Sequence, residues 1–129
     1  VDSGIESSVL DVFSMLLEQQ QHALVPDERM RSVQRWITDH IGDELSVNTL
    51  AGIACLSPTQ FKKRFKMSFD TTPHLYITQL RMETSKALLA HTDLPVQLVA
   101  QNVGYSDLSA FSRRFSSYFG LSPRAFSKA

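Results

Sequence analysis

Cysteine is nearly absent: Cys55 stands alone in 129 residues, which excludes an internal disulfide framework and suits the cytoplasm. Glycine numbers five, and none falls in a phosphate-cradling loop, so a nucleotide site of that type has no sequence support. The four histidines, His22, His40, His74 and His91, lack the HExxH or paired spacing of a helical metal site. With no second thiol beside Cys55 either, no metal, cofactor or catalytic constellation can be assembled, and an enzyme reading has no residues to name. No run of eighteen apolar residues and no signal-peptide pattern occurs, which excludes a hydrophobic spanning helix in this stretch. The chain also begins at Val1 without a methionine, so it is expected to be a piece of something longer. Net charge is zero, with 13 basic and 13 acidic residues, and at first this argues against a polyanionic partner.

The distribution of charge reverses that impression. Residues 1–44 hold nine acids against three bases, residues 45–56 hold no charge, and residues 57–129 hold ten bases against four acids. An excess of base confined to one part of a chain points to a polyanion.

The basic part contains a sequence written twice. Ser57–Pro73 and Asp107–Pro123 lie fifty positions apart, with Phe61, Phe65 and Phe69 falling on Phe111, Phe115 and Phe119, Lys63 and Arg64 on Arg113 and Arg114, and Pro73 on Pro123. Two copies at so long a period predict two related lobes, not a solenoid. Phenylalanines at i, i+4 and i+8 form one stripe along a helix, leaving Lys62, Lys63 and Lys66 on the other side. Ser57 and Asp107 suit the N-caps and Pro58 the first turn. Gly120 suits a left-handed stop, whereas Asp70 at the equivalent place predicts a looser one.

The rest of the chain supplies partners for these helices. Val9, Val12, Phe13, Leu16 and Leu17 are spaced for a helix over about 8–21, so residues 1–25 read as a linker or the end of an upstream domain. Pro26 and Asp27 open a second helix carrying Met30, Val33, Trp36, Ile37 and Ile41 before Gly42 stops it, with Trp36 expected in the core. A short helix from Ser46 or Val47 to Ala54, the Cys55-Leu56 link and the Ser57 helix make a helix-turn-helix. Pro73 to about Ala90 reads as a long helix with Leu75, Tyr76, Ile77, Leu80, Met82, Ala87, Leu88 and Leu89, roughly 27 Å at 1.5 Å per residue, enough for a spacer. Arg81, among these apolar positions, predicts a buried or half-buried hydrogen-bonded contact, with a phosphate contact as the alternative. Val96 to Val103 is the second short helix, and its turn to Asp107 is one residue longer than the first. Gly104 is predicted to absorb the extra residue at positive φ. Ser122–Phe126 starts a last short helix. The expected fold is all-α: two helix-turn-helix subdomains joined by a long central helix, about seven helices, plus an N-terminal linker helix. The expected domain is 26–129, divided into lobes 26–72 and 92–129 with 73–91 connecting them.

Turning the phenylalanine stripes inward places Thr59, Lys62, Lys63 and Lys66 outward on the first basic helix and Ser109, Ser112, Arg113 and Ser116 outward on the second. Arg grips guanine O6 and N7 bidentately, Lys does so less strictly, and Ser or Thr can meet several base edges. Gln60, Ala110 and Arg114 complete the candidate DNA-facing set. The serines of the second helix are shorter readers, so the first unit is expected to dominate affinity. An all-helical protein-interaction module with basic faces for an acidic partner is the alternative, because the stripes alone build only cores.

Residues 45–127 resemble the DNA-binding domain of the AraC/XylS family of bacterial transcription regulators. The resemblance is carried by Leu50-Ala51, Ser57, Phe61, Lys63 and Phe65-Lys66. In the second unit it is carried by Val99-Ala100, Gly104-Tyr105-Ser106-Asp107, Phe111, Arg113, Phe115, Gly120 and Ser122-Pro123. Tyr76, Arg81 and Ala87-Leu88-Leu89 match between the units. Asp70 stands where the family usually has Gly, and Cys55 where a small residue is common. The resemblance implies double-stranded DNA as partner, each second helix entering a major groove and the two units reading adjacent grooves. It also implies RNA polymerase as a further partner and a separate upstream domain for effector binding or dimerisation.

Overall fold

The computed structural model describes residues 27–128. They form seven helices with no strand among them: α1 Glu28–Asp39, α2 Val47–Ile53, α3 Pro58–Phe69, α4 Pro73–His91, α5 Val96–Asn102, α6 Leu108–Phe119 and α7 Pro123–Phe126. The helix expected over 8–21 lies outside the described residues. The chain divides into two compact units. Among the described residues, one takes those up to Arg35 together with Val47–Pro73, and the other takes Trp36–Ser46 and those from His74 on.

Burial on α1 follows a single stripe. Met30, Val33 and Ile37, at i, i+3 and i+7, are fully buried, as one helix face requires. Trp36 does not join them, against expectation: one position before Ile37, it is rotated by about 100° off the stripe and is 37% exposed. Its ring stacks instead on His40, with centroids 3.7 Å apart and planes at 15°. The helix also stops earlier than Gly42 suggested, at Asp39, and Ile41 lies half-buried in the following turn.

Among the described residues of the first unit the buried side chains besides Met30 and Val33 are Leu50, Ala51 and Ala54 around α2, Phe61 and Phe65 of α3, and Pro73. In the second, Met82 and Leu89 of α4 meet Val99, Ala100 and Val103 around α5 and Phe111 and Phe115 of α6, with Tyr105, Phe119 and Phe126 packed at the edge. Burying one such phenylalanine contributes roughly 1.5–3 kcal/mol. The two ring ladders match closely: Phe61–Phe65 and Phe65–Phe69 centroids lie 5.6 and 4.7 Å apart, Phe111–Phe115 and Phe115–Phe119 5.7 and 4.8 Å.

From His74 onward α4 belongs to the second unit. Of the apolar residues that announced it, Ile77, Met82 and Leu89 are buried while Leu75 is 53% exposed, because a straight helix offers one stripe to a core. Its two buried polar side chains are satisfied within the helix: Thr78 Oγ1 donates to the His74 carbonyl at 2.9 Å and Ser85 Oγ to the Met82 carbonyl at 2.7 Å. Lys86 of α4 lies over the Phe119 and Phe126 rings, 4.9 and 5.4 Å from their centroids, a cation–π placement.

The two turns correct one expectation. Leu56 N–H donates to the Ala51 carbonyl and Tyr105 N–H to the Ala100 carbonyl, each at 2.9 Å, so the turns correspond residue for residue up to Leu56 and Tyr105. Gly104 therefore corresponds to Cys55, and both have positive φ, 98° and 58°. Gly104 does not absorb the additional residue; Ser106 is that residue, inserted between the shared turn and the N-cap Asp107.

The helix stops correct another. Asp70 adopts the left-handed conformation at φ 58° and Gly120 at φ 75°, and the N–H of each donates at 2.8 Å, to Lys66 and Ser116 respectively. The first stop is as tight as the second, its aspartate held where glycine would be unstrained.

Candidate nucleic-acid interface

Each basic helix is anchored at its start by its own chemistry. Ser57 Oγ accepts from Gln60 N–H at 3.2 Å while Gln60 Oε1 accepts from Ser57 N–H at 3.4 Å, closing a capping box. Gln60 thus spends its carbonyl oxygen on fixing α3. Asp107 caps α6 by accepting from Ser109 N–H at 2.9 Å.

The outward faces differ between the copies. On α3, Thr59, Lys62, Lys63 and Lys66 are all exposed. On α6, Ser109, Arg113 and Arg114 are exposed, but Ser112 and Ser116 are half-buried, and so is Ala110. The outward placement expected for Ser112 and Ser116 is thus only half met. Each directly follows a buried phenylalanine and flanks the stripe, as Lys62 and Lys66 do on α3. A lysine at that place extends along the apolar surface to water, and a serine is too short to follow.

Arg64 and Arg114 also part company. Arg64 forms an ion pair with Asp27, donating Nε–H to Oδ2 at 3.0 Å and Nη2–H to the same oxygen. Asp27 Oδ1 meanwhile accepts from Arg29 N–H at 2.9 Å, capping α1. Burial pushes the Asp27 carboxyl up, but the bonds from Arg64 and from the Arg29 and Met30 backbone, with the guanidinium charge, outweigh it and hold the pKa below the usual aspartate value. Sequence spacing gave no sign of this pair, since 37 residues separate the partners. Arg114, with no such carboxylate, joins Arg113, Tyr105, Ala110 and Ser117 around an open concavity of 310 Å³. Ser117 could have been anticipated, standing three and four residues after the two arginines on the same helix face.

Among the described residues no carboxylate lies within ion-pair distance of Lys62, Lys63, Lys66, Arg113 or Arg114. Two capped helices, each the second of a helix-turn-helix, therefore present unneutralised bases outward. A family model for a helix-turn-helix domain matches residues 50–129. The chain belongs to the AraC/XylS family of DNA-binding transcription regulators.

Curated relatives agree with this AraC/XylS assignment. The probable transcriptional regulator LumQ of Photobacterium leiognathi is 30% identical over 97% of this chain and 52% of its own length. The HTH-type transcriptional activator RhaS of Enterobacter sp. (strain 638) is 34% identical over 76% of this chain and 35% of its own. The chain thus spans about half the first relative and about a third of the second. Among solved structures, the DNA-binding domain of AdpA, a global transcriptional factor in complex with a target DNA, superposes with a TM-score of 0.72 at 28% identity, covering 76% of this chain and 88% of that one. Among the described residues no group of three His, Cys, Asp or Glu side chains could hold a metal ion, and no helix is long and apolar enough to cross a membrane.

Proposed function

We propose that this chain is the sequence-reading part of a bacterial transcription activator, inserting α3 and α6 into adjacent major grooves of duplex DNA. One observation carries the reading: the unneutralised bases on the outer faces of two capped second helices, Lys62, Lys63 and Lys66 on α3 and Arg113 and Arg114 on α6. Lys63 and Arg113 hold equivalent central positions and are assigned to base edges, Thr59 and Ser109 to bases or phosphate near the helix starts, and Lys62, Lys66 and Arg114 to phosphate. Gln60, Ala110, Ser112 and Ser116 border these contacts. The activator assignment draws on RhaS, and the DNA complex of AdpA supports the partner. Contact with RNA polymerase, dimerisation through a further domain and a cytoplasmic setting belong to the same proposal, and no catalytic reaction is assigned.

Fluorescence anisotropy tests it. A duplex enriched by this chain from a random-sequence pool should bind more tightly than an unselected duplex, and the three bases assigned to phosphate should cost about fortyfold in affinity between 50 and 200 mM salt. Failure to prefer any duplex, together with equal or tighter binding to polyglutamate, would install an acidic protein as the partner instead.

A further inference from the structure

The helix α6 follows a turn on which one side chain from elsewhere in the unit rests. Arg81, midway along α4, donates Nε–H to the Ile41 carbonyl at 3.0 Å and Nη2–H to the Asp43 carbonyl at 2.7 Å. A Cβ added to Gly104 would stand 3.0 Å from Arg81 Cζ and 3.1 Å from Nε and Nη2, so the guanidinium lies directly against the turn. Gly42, between the two bonded carbonyls, closes the arrangement: a Cβ there would come within 2.6 Å of the Asn102 carbonyl oxygen at the end of α5. One planar fork thus gathers the 41–43 segment and the Gly104 turn, while Gly42 lies against the last residue of α5. A lysine, with a point charge and no plane, could not replace it.

The first unit shows that this demand is local. Cys55, at the place of Gly104, also has positive φ, 58° against 98°, with an exposed side chain. A side chain is therefore tolerated at φ 58° in the first turn, whereas at Gly104 the higher φ and the adjacent Arg81 guanidinium both favour glycine.

We infer that Arg81 is a positioning residue for the second reading helix, fixing the Gly104 turn against the 41–43 segment and so setting the angle at which α6 presents Ser109, Arg113 and Arg114. It acts through the turn and not on DNA, and the inference rests on the DNA-binding reading above. The test uses the 129-residue chain and a duplex enriched by the wild type from a random pool, with hydroxyl-radical footprints as readout. Lys63→Ala and Arg113→Ala mark the half-sites of the first and second units. Arg81→Gln should weaken only the half-site that Arg113→Ala weakens, by about tenfold, the share of one bidentate base contact. Arg81→Lys should not restore it. Gly104→Ala should reproduce the loss, and should cost less in the Arg81→Gln background, where the guanidinium no longer meets the added methyl group. Weakening of both half-sites alike, or a footprint like the wild type's, overturns the inference. If Arg81→Gln does not fold, Arg81→Lys decides: selective loss of the second half-site upholds the inference, and uniform loss or none overturns it. A wild-type chain that enriches no duplex overturns the DNA-binding reading instead, so the two failures are distinct.

Discussion

The helices α3 and α6 share a core and differ at their rims. Their ring ladders agree to 0.1 Å in both spacings, and both end on a left-handed residue with a 2.8 Å cap bond. Outside the stripe, α3 has Lys62 and Lys66 where α6 has Ser112 and Ser116, and its fourth base, Arg64, is paired with Asp27 while Arg114 faces solvent. Packing tolerates little change because the ring ladder fills a dense interior, whereas the outer face is set only by what it touches. The first helix carries more spread positive charge, suited to phosphate; the second carries adjacent arginines, suited to planar recognition. On the proposed reading, this difference assigns affinity more to the first unit and discrimination more to the second.

The shared core gives the largest expected effects. Phe65→Ala and Phe115→Ala should each cost about 3–5 kcal/mol of unfolding free energy, with no collapse of the helix able to refill so large a space. Chemical denaturation followed by circular dichroism would measure both. Costs differing by more than about 2 kcal/mol, beyond the usual context dependence of such truncations, would break the equivalence of the cores.

At the rims the effects are smaller and should differ. Arg113→Ala should cost about 1–3 kcal/mol of binding to an enriched duplex and relax the base preference beneath it. Lys63→Ala should weaken binding more than Ser112→Ala does, because a half-buried serine has little to lose; equal losses would reject the dominance of the first unit in affinity. Lys66→Ala should reduce the slope of log K against log salt by roughly 0.9, one phosphate's worth, while Ser116→Ala leaves it unchanged. A slope unmoved by Lys66→Ala would take that lysine out of the interface.

The sequence showed these units unevenly, for physical reasons. The repeat made the core legible, since buried phenylalanines at i, i+4 and i+8 admit one placement on a helix, and the helix ends were marked by the capping hydroxyls and carboxylate of Ser57, Asp107 and Ser122 and by the left-handed freedom of Gly120. Exposure was less legible: Ser112 and Lys62 occupy matching positions, and only side-chain length separates a half-buried contact from a solvated one. Trp36 was misplaced because an aromatic at near-helical spacing looks like core until a rotation of about 100° per residue is applied strictly. The Asp27–Arg64 pair was invisible, as are most contacts between residues distant in the chain. For Arg81 the sequence predicts a buried or half-buried hydrogen-bonded contact, and the structure shows the half-buried one, with carbonyl partners that spacing does not name. Burial lowers its pKa, with Tyr105 opposing, yet a guanidinium remains charged throughout the accessible range.

That invisible pair predicts a pH dependence confined to the first unit. Asparagine at position 27 would still cap α1 but would lose the charge facing Arg64, so Asp27→Asn should cost about 1 kcal/mol at neutral pH, a modest figure because the Arg64 side chain is 40% exposed. The folded-state pKa of Asp27 is depressed, so its contribution is present above the unfolded value of about 3.9 and is lost as pH falls through the lower folded value. Denaturation curves for wild type and variant should therefore converge below about pH 4. A constant gap down to pH 2 would mean that packing, and not charge, separates them.

The smallest effect concerns the helix stops, and it asks whether equal geometry means equal strain. A non-glycine residue at left-handed φ costs roughly 1–2 kcal/mol, less for aspartate, while glycine in its place loses about 0.5–1 kcal/mol more chain entropy on folding. The two terms nearly cancel for Asp70→Gly, which should change stability by no more than about 0.5 kcal/mol in either direction. Gly120→Ala faces no close atom, since nothing lies within 4 Å of an added Cβ, so its cost is the backbone term alone, about 1 kcal/mol. Thermal unfolding of the two variants beside wild type would separate these expectations. A gain well above 1 kcal/mol for Asp70→Gly would show that the first stop holds strain its hydrogen bond does not reveal, and that the two stops are alike in shape only.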